Sequence, residues 1–84
     1  MSYQIQIAPA AIKVFKKISE PYKTLLKKKI AALKDFSLTM PNIKALQGEY
    51  KGFYRLRSGN YRILFEIKNE IITVLDIFPR GKGY

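Results

Sequence analysis

The chain has no cysteine and no histidine among its 84 residues. Without thiols there is no disulfide framework and no thiolate chemistry. Without imidazole as well, the usual zinc, iron and copper sites, the histidine triads and the histidine general bases are all excluded. Acidic residues are scarce: six Asp or Glu stand against sixteen Lys or Arg, for a formal charge of +10. Nowhere does the sequence run for the roughly 18 consecutive apolar residues that a spanning helix needs. The stretch from Met1 to Ile7 has neither the basic flank nor the apolar run of a signal peptide. These absences lead to the expectation of a cytoplasmic protein that uses no cofactor and no metal. Its chemistry, if any, falls to Lys, Arg, Tyr or a carboxylate.

What is present is globular. A hydrophobic fraction of 48% with 13% aromatics is enough to build a core, and the length suits one domain spanning residues 1–84. Tyr3, Ile5 and Ile7 alternate with Gln4 and Gln6, which predicts a short strand. Pro9 suits the first turn of a helix. Ile12, Phe15 and Ile18 form one stripe, giving a helix from Pro9 to about Ser19. Ser19 is the expected N-cap of a second helix, with Pro21 in its first turn and Leu26, Ile30 and Leu33 on its apolar side, ending near Asp35. From Phe36 to Lys44 no periodicity holds, and Pro41-Asn42 marks a loop. Period two then predicts strands at Tyr50–Arg57, Tyr61–Lys68 and Ile71–Phe78, with turns at Ser58-Gly59-Asn60 and Lys68-Asn69-Glu70. The fold class is α+β: an N-terminal strand, a helical hairpin and a three-stranded antiparallel meander, with both helices on one face of the sheet.

Strand parity decides where the charge sits. If Tyr54, Leu56, Tyr61, Ile63, Phe65, Ile67, Leu75 and Ile77 face the helices, the other face carries Phe53, Arg55, Arg57, Arg62, Leu64, Glu66, Asp76 and Phe78. Arg80 follows in the same parity. All four arginines of the chain then gather on or beside one face, whereas the helices use only Lys. A solvated sheet face is the plain alternative. Arginine is the fork-shaped donor that grips phosphate in two places, so a phosphate-binding face is the preferred reading. Phe53 and Phe78 beside it can stack a base or meet a partner. Lys23, Lys27, Lys28, Lys29 and Lys34 on the second helix are either a solvated surface or remote phosphate contacts. The field of the whole chain favours polyanions, nucleic acid ahead of an anionic membrane surface.

The run Leu46-Gln47-Gly48, then Gly52-Phe53-Tyr54-Arg55-Leu56-Arg57-Ser58-Gly59-Asn60-Tyr61-Arg62 to Ile67, resembles the RelE/ParE superfamily of bacterial toxin–antitoxin toxins. The closing strand with Pro79-Arg80-Gly81-Lys82-Gly83-Tyr84 is similar to the family's ending, an Arg followed four residues on by a Tyr. The resemblance covers essentially the whole chain. For the RelE-like branch it implies metal-independent endonucleolytic cleavage of mRNA on the ribosome, with the 2′-OH attacking the adjacent phosphate. It implies that Arg62 stabilises the transition state, that Arg80 assists the leaving oxygen, and that Tyr84 stacks on the substrate base. Arg55, the fourth candidate catalytic residue, stands where relatives present lysines, one of them the suggested base, and Pro79 stands where some carry His. Lys51 is the candidate replacement base, ahead of Glu49. Lys51, Phe53, Arg57, Phe78 and Lys82 are the expected substrate contacts. The implied partners are the ribosome, mRNA and a cognate antitoxin with an acidic or amphipathic segment, in a toxin–antitoxin hetero-oligomer. A non-enzymatic DNA-gyrase inhibitor of the ParE type is the alternative within the superfamily, and a non-catalytic RNA-binding module the alternative outside it.

Overall fold

The computed structural model describes residues 2–81. Strand β1 (Gln4–Ile7) leads into helix α1 (Pro9–Lys16) and helix α2 (Tyr22–Ala32), which tightens into a 3-10 turn at Leu33–Asp35. Strand β2 (Ile43–Ala45) and a second 3-10 turn (Gly48–Tyr50) precede β3 (Phe53–Ser58), β4 (Tyr61–Lys68) and β5 (Ile71–Pro79). The five strands form one sheet in the order β1-β5-β4-β3-β2. The antiparallel meander β3-β4-β5 is its centre; β1 joins β5 in parallel, and β2 joins β3 antiparallel.

Both helices stop and start for local reasons. Pro9 occupies the first turn of α1, where its missing N–H leaves no bond unmade. The helix ends at Lys16, short of Ser19. Because α2 begins only at Tyr22, the Ser19 side chain does not cap it; Ser19 instead accepts the Lys23 N–H through its own carbonyl, at 3.1 Å. Glu20 takes the capping role. Its Oε1 accepts the Thr24 N–H at 3.0 Å and the Thr24 hydroxyl at 2.6 Å. Those bonds hold the Glu20 carboxyl below the ordinary glutamate range, helped by Lys23 and Lys27.

The core lies between the helices and one face of the sheet. Ala11, Ile18, Leu26, Ile30 and Leu33 meet Leu56, Ile63, Phe65, Ile72, Val74 and Ile77 there, all buried. Phe36 is half-buried inside an aromatic group, with ring centroids 5.9 Å from Tyr3, 5.4 Å from Tyr54 and 5.9 Å from Phe65. Tyr54 stacks on Phe65 at 5.4 Å. The segment without periodicity after α2 is therefore anchored at its first residue.

One register shift corrects the expected parity of β5. Leu64 pairs with Asp76, but Phe65 pairs with Val74, so Leu75 is an extra residue in a β-bulge. Upstream of the bulge the strand presents Ile72 and Val74 to the core, both fully buried. An uninterrupted strand would have sent Ile71, Thr73 and Leu75 inward instead. Downstream of the bulge the expected parity holds: Ile77 is buried opposite Ile63. No helix among the described residues is long and apolar enough to cross a membrane.

Candidate functional site: a basic sheet face

The sheet face turned away from the helices is built in rows. Lys44, Arg55, Leu64 and Asp76 are successive cross-strand partners, and in the next row toward the β3–β4 turn Arg57, Arg62 and Phe78 are. Phe53, Glu66 and Thr73 make the row on the other side. The hydrophobic pattern of β3 and β4 produces this directly, because Leu56, Ile63 and Phe65 fill the core and their neighbours must point the other way. Five of the expected site residues, Phe53, Arg55, Arg57, Arg62 and Phe78, thus share one face. The short strand β2 adds Lys44, which sequence periodicity did not single out because three residues carry too little alternation to read.

Arg57 is exposed, while Arg55 and Arg62 are half-buried. Arg62 Nη1 donates to the Tyr61 carbonyl at 3.2 Å and reaches the Gly59 carbonyl at 3.4 Å. The Arg80 N–H donates to the Asn60 carbonyl at 2.6 Å. The main chain of Arg80 is therefore tied to the turn that also holds Arg62. The two carboxylates of this face have neighbours of their own. Asp76 Oδ1 accepts the Ile77 N–H at 2.8 Å, and Glu66 lies 3.9 Å from the Lys68 ammonium.

Three expectations change. Phe78 is on the predicted face but is buried, 8% exposed, so it is not an open stacking surface. Phe53 is half-buried and lies 6.5 Å from the Tyr50 ring. Lys51 precedes β3, and Gly52 after it turns the chain at φ +95°, so the alternation that places Arg55 does not extend back to Lys51. Lys82 and Tyr84 lie outside the described residues. Among the described residues no cluster of His, Cys, Asp or Glu could hold a metal ion.

The helix side carries a different feature. Ile12 and Phe15 of α1, Ile30 and Ala31 of α2, Ile7 and Ile77 line an open groove of about 290 Å³ with Lys27 beside it. Ile7 and Ile12 are each 40% exposed, and the Lys23 ammonium sits 5.6 Å from the Phe15 ring centre. The groove is apolar with lysines around it, and the arginine face is on the other side of the sheet.

This is the build of a small toxin of the RelE/ParE superfamily. Residues 5–84 match the family described as the ParE toxin of type II toxin–antitoxin systems, parDE, and the chain belongs to that family. A search among curated proteins gave no significant match. Among solved structures, the archaeal RelE–RelB complex from Pyrococcus horikoshii is similar with a TM-score of 0.82 and 21% identity, covering 99% of this chain and 100% of that one. The RelB–RelE antitoxin–toxin complex from Methanococcus jannaschii gives a TM-score of 0.74 and 26% identity, covering 88% of each chain. The isolated RelE toxin of E. coli gives 0.77 and 20%, covering 98% of this chain and 88% of that one.

Proposed function

We propose that this toxin is an endoribonuclease acting on translated mRNA, and that its arginine face is the cleavage site. The observation that carries the reading is the convergence of Arg57, Arg62 and the Arg80 main chain at one end of the sheet. A 2′-OH attacking the adjacent phosphate gives up its proton as the O2′–P bond forms, and the P–O5′ bond breaks with a proton taken up by the departing oxygen, leaving a 2′,3′-cyclic phosphate and a 5′-OH. Negative charge builds on the non-bridging oxygens and on the departing one. Fork-shaped cations answer both, without a metal. Arg62, already oriented by carbonyls, would meet the phosphorane, Arg80 the leaving oxygen, and Tyr84 the base. Arg55 and Arg57 would bind flanking phosphates. A guanidinium offers only donors and no acceptor atom, so Arg55 serves as a phosphate ligand and not as the base.

Primer extension on a translated message, with and without ribosomes, tests this. Cleavage with cyclic-phosphate ends supports the reading, and intact message in growth-arrested cells overturns it. The family's description as ParE favours one second reading, a non-enzymatic gyrase inhibitor. DNA damage with intact mRNA would establish that instead.

The partner in this reading is an antitoxin with an acidic, amphipathic segment. Its apolar side suits the groove between α1 and α2, and its carboxylates suit the lysines around it. The ribosome is the larger partner, met through the +10 charge of the chain.

A further inference from the structure

Three consecutive carbonyls of the β3–β4 turn address two of the four arginines of the proposed site, one through its guanidinium and one through its main-chain N–H. Gly59 and Tyr61 face the Arg62 guanidinium, and Asn60 between them accepts the Arg80 N–H. The turn has only two central residues, since Ser58 pairs directly with Tyr61. In so short a link, the direction of each carbonyl follows from the backbone angles of the residue before and after it. Gly59 is at φ +58°, a conformation that most side chains resist and that β-branched ones resist most. A Cβ at Gly59 would meet nothing within 4 Å, so space does not require glycine here. Backbone conformation instead favours glycine or another residue that accepts positive φ.

We propose that the turn is a positioning device for the site, and that Gly59 is its positioning residue. Residue 59 touches no substrate; it sets the carbonyl fan that fixes the angle of the Arg62 fork and the departure point of Arg80 from β5. An arginine held in advance gives up less freedom on meeting a transition state than one that must be recruited from solvent. The proposal rests on the nuclease reading for its consequence, but its geometry can be tested without it.

The test compares Gly59→Val with Gly59→Asn in the full chain, Asn being a residue that accepts positive φ in turns. Hydrogen exchange at the Arg80 amide and the guanidinium resonances of Arg62 report on the anchors. Single-turnover cleavage and RNA affinity, measured at matched folded fraction, report on function. Gly59→Val is expected to speed Arg80 exchange at least tenfold and shift the Arg62 resonances. Its cleavage rate should fall at least tenfold, with affinity changed less than threefold. Gly59→Asn is expected to stay within about threefold of the parent in every reading. Equal Arg80 protection and equal cleavage in Gly59→Val would overturn the positioning role, and so would equal loss in both variants. If the parent itself cleaves nothing, the nuclease reading fails, and Arg80 exchange with the Arg62 resonances then decides the role of the turn alone.

Discussion

Arg57 and Arg62 are direct cross-strand partners, two guanidinium side chains facing the same way from β3 and β4. Opposed like charges destabilise a strand pair by a few tenths to about 1 kcal/mol, so this pair opposes the fold and suits an anion. Arg57→Gln should therefore raise stability by up to about 1 kcal/mol at low salt, with the gain shrinking as salt screens the parent. The same change should weaken RNA binding. Urea melts at two ionic strengths, run beside an affinity measurement, check both signs. A loss of stability would mean that Arg57 serves the fold.

How far the sequence reveals this site depends on which strand is read. In β3 and β4 the alternation of Leu56, Ile63 and Phe65 with Arg55, Arg57 and Arg62 is strong, and the arginine face follows from it. Along Ile71-Ile72-Thr73-Val74-Leu75 nearly every residue is apolar, so period two carries no information and the bulge at Leu75 is invisible. Downstream of the bulge the placement of Ile77 and Phe78 was legible, but the burial of Phe78 was not. Strand β2 escapes because three residues at an edge take their shape from β3 rather than from their own pattern. Phe36 likewise owes its place to Tyr3, Tyr54 and Phe65, partners distant in sequence.

Phe65 is fully buried at the centre of that aromatic group. Phe65→Ala should cost about 3–5 kcal/mol. In a domain this small, with total stability on the order of 5 kcal/mol, the variant is expected to be largely unfolded at 37 °C. Circular dichroism melts decide this, and a cooperative transition within a few degrees of the parent would contradict the packing described.

Glu20 supplies a pH-dependent test of the start of α2. Its folded pKa is lowered, first by the Thr24 hydroxyl bond and then by the Thr24 N–H. A lowered carboxylate pKa stabilises the fold above the unfolded value, about 4.3 for Glu. That contribution is lost as the pH falls through the folded pKa. Glu20→Gln should therefore melt below the parent at pH 6, with the gap closing below pH 4. A gap that stays constant across this range would show that the charge has no part in the cap.

Binding to single-stranded RNA should weaken steeply with salt. If the four arginines each neutralise one phosphate, log K should fall against log[salt] with a slope of roughly −2.8. Removing Arg57 should reduce that slope by about 0.7. A slope near zero would place the arginines against Glu66 and Asp76 instead, the two carboxylates on the same face.

Arg80 offers the sharpest division between a working site and a plain solvated segment after β5. Its main chain is tied to Asn60, and the residue leaves β5 beside the row that holds Arg62. Arg80 is exposed, so Arg80→Ala should leave the melting temperature within a few degrees of the parent. Loss of a donor to developing charge commonly lowers turnover by about 10²- to 10³-fold, and mRNA cleavage should fall on that scale. Arg80→Lys should recover only part of it, because an ammonium restores the charge without the fork. Deleting residues 81–84 removes Tyr84 and should also depress cleavage. If the shortened chain arrests growth as well as the parent at equal soluble level, Tyr84 takes no part, and the proposed site contracts to the arginines of the sheet.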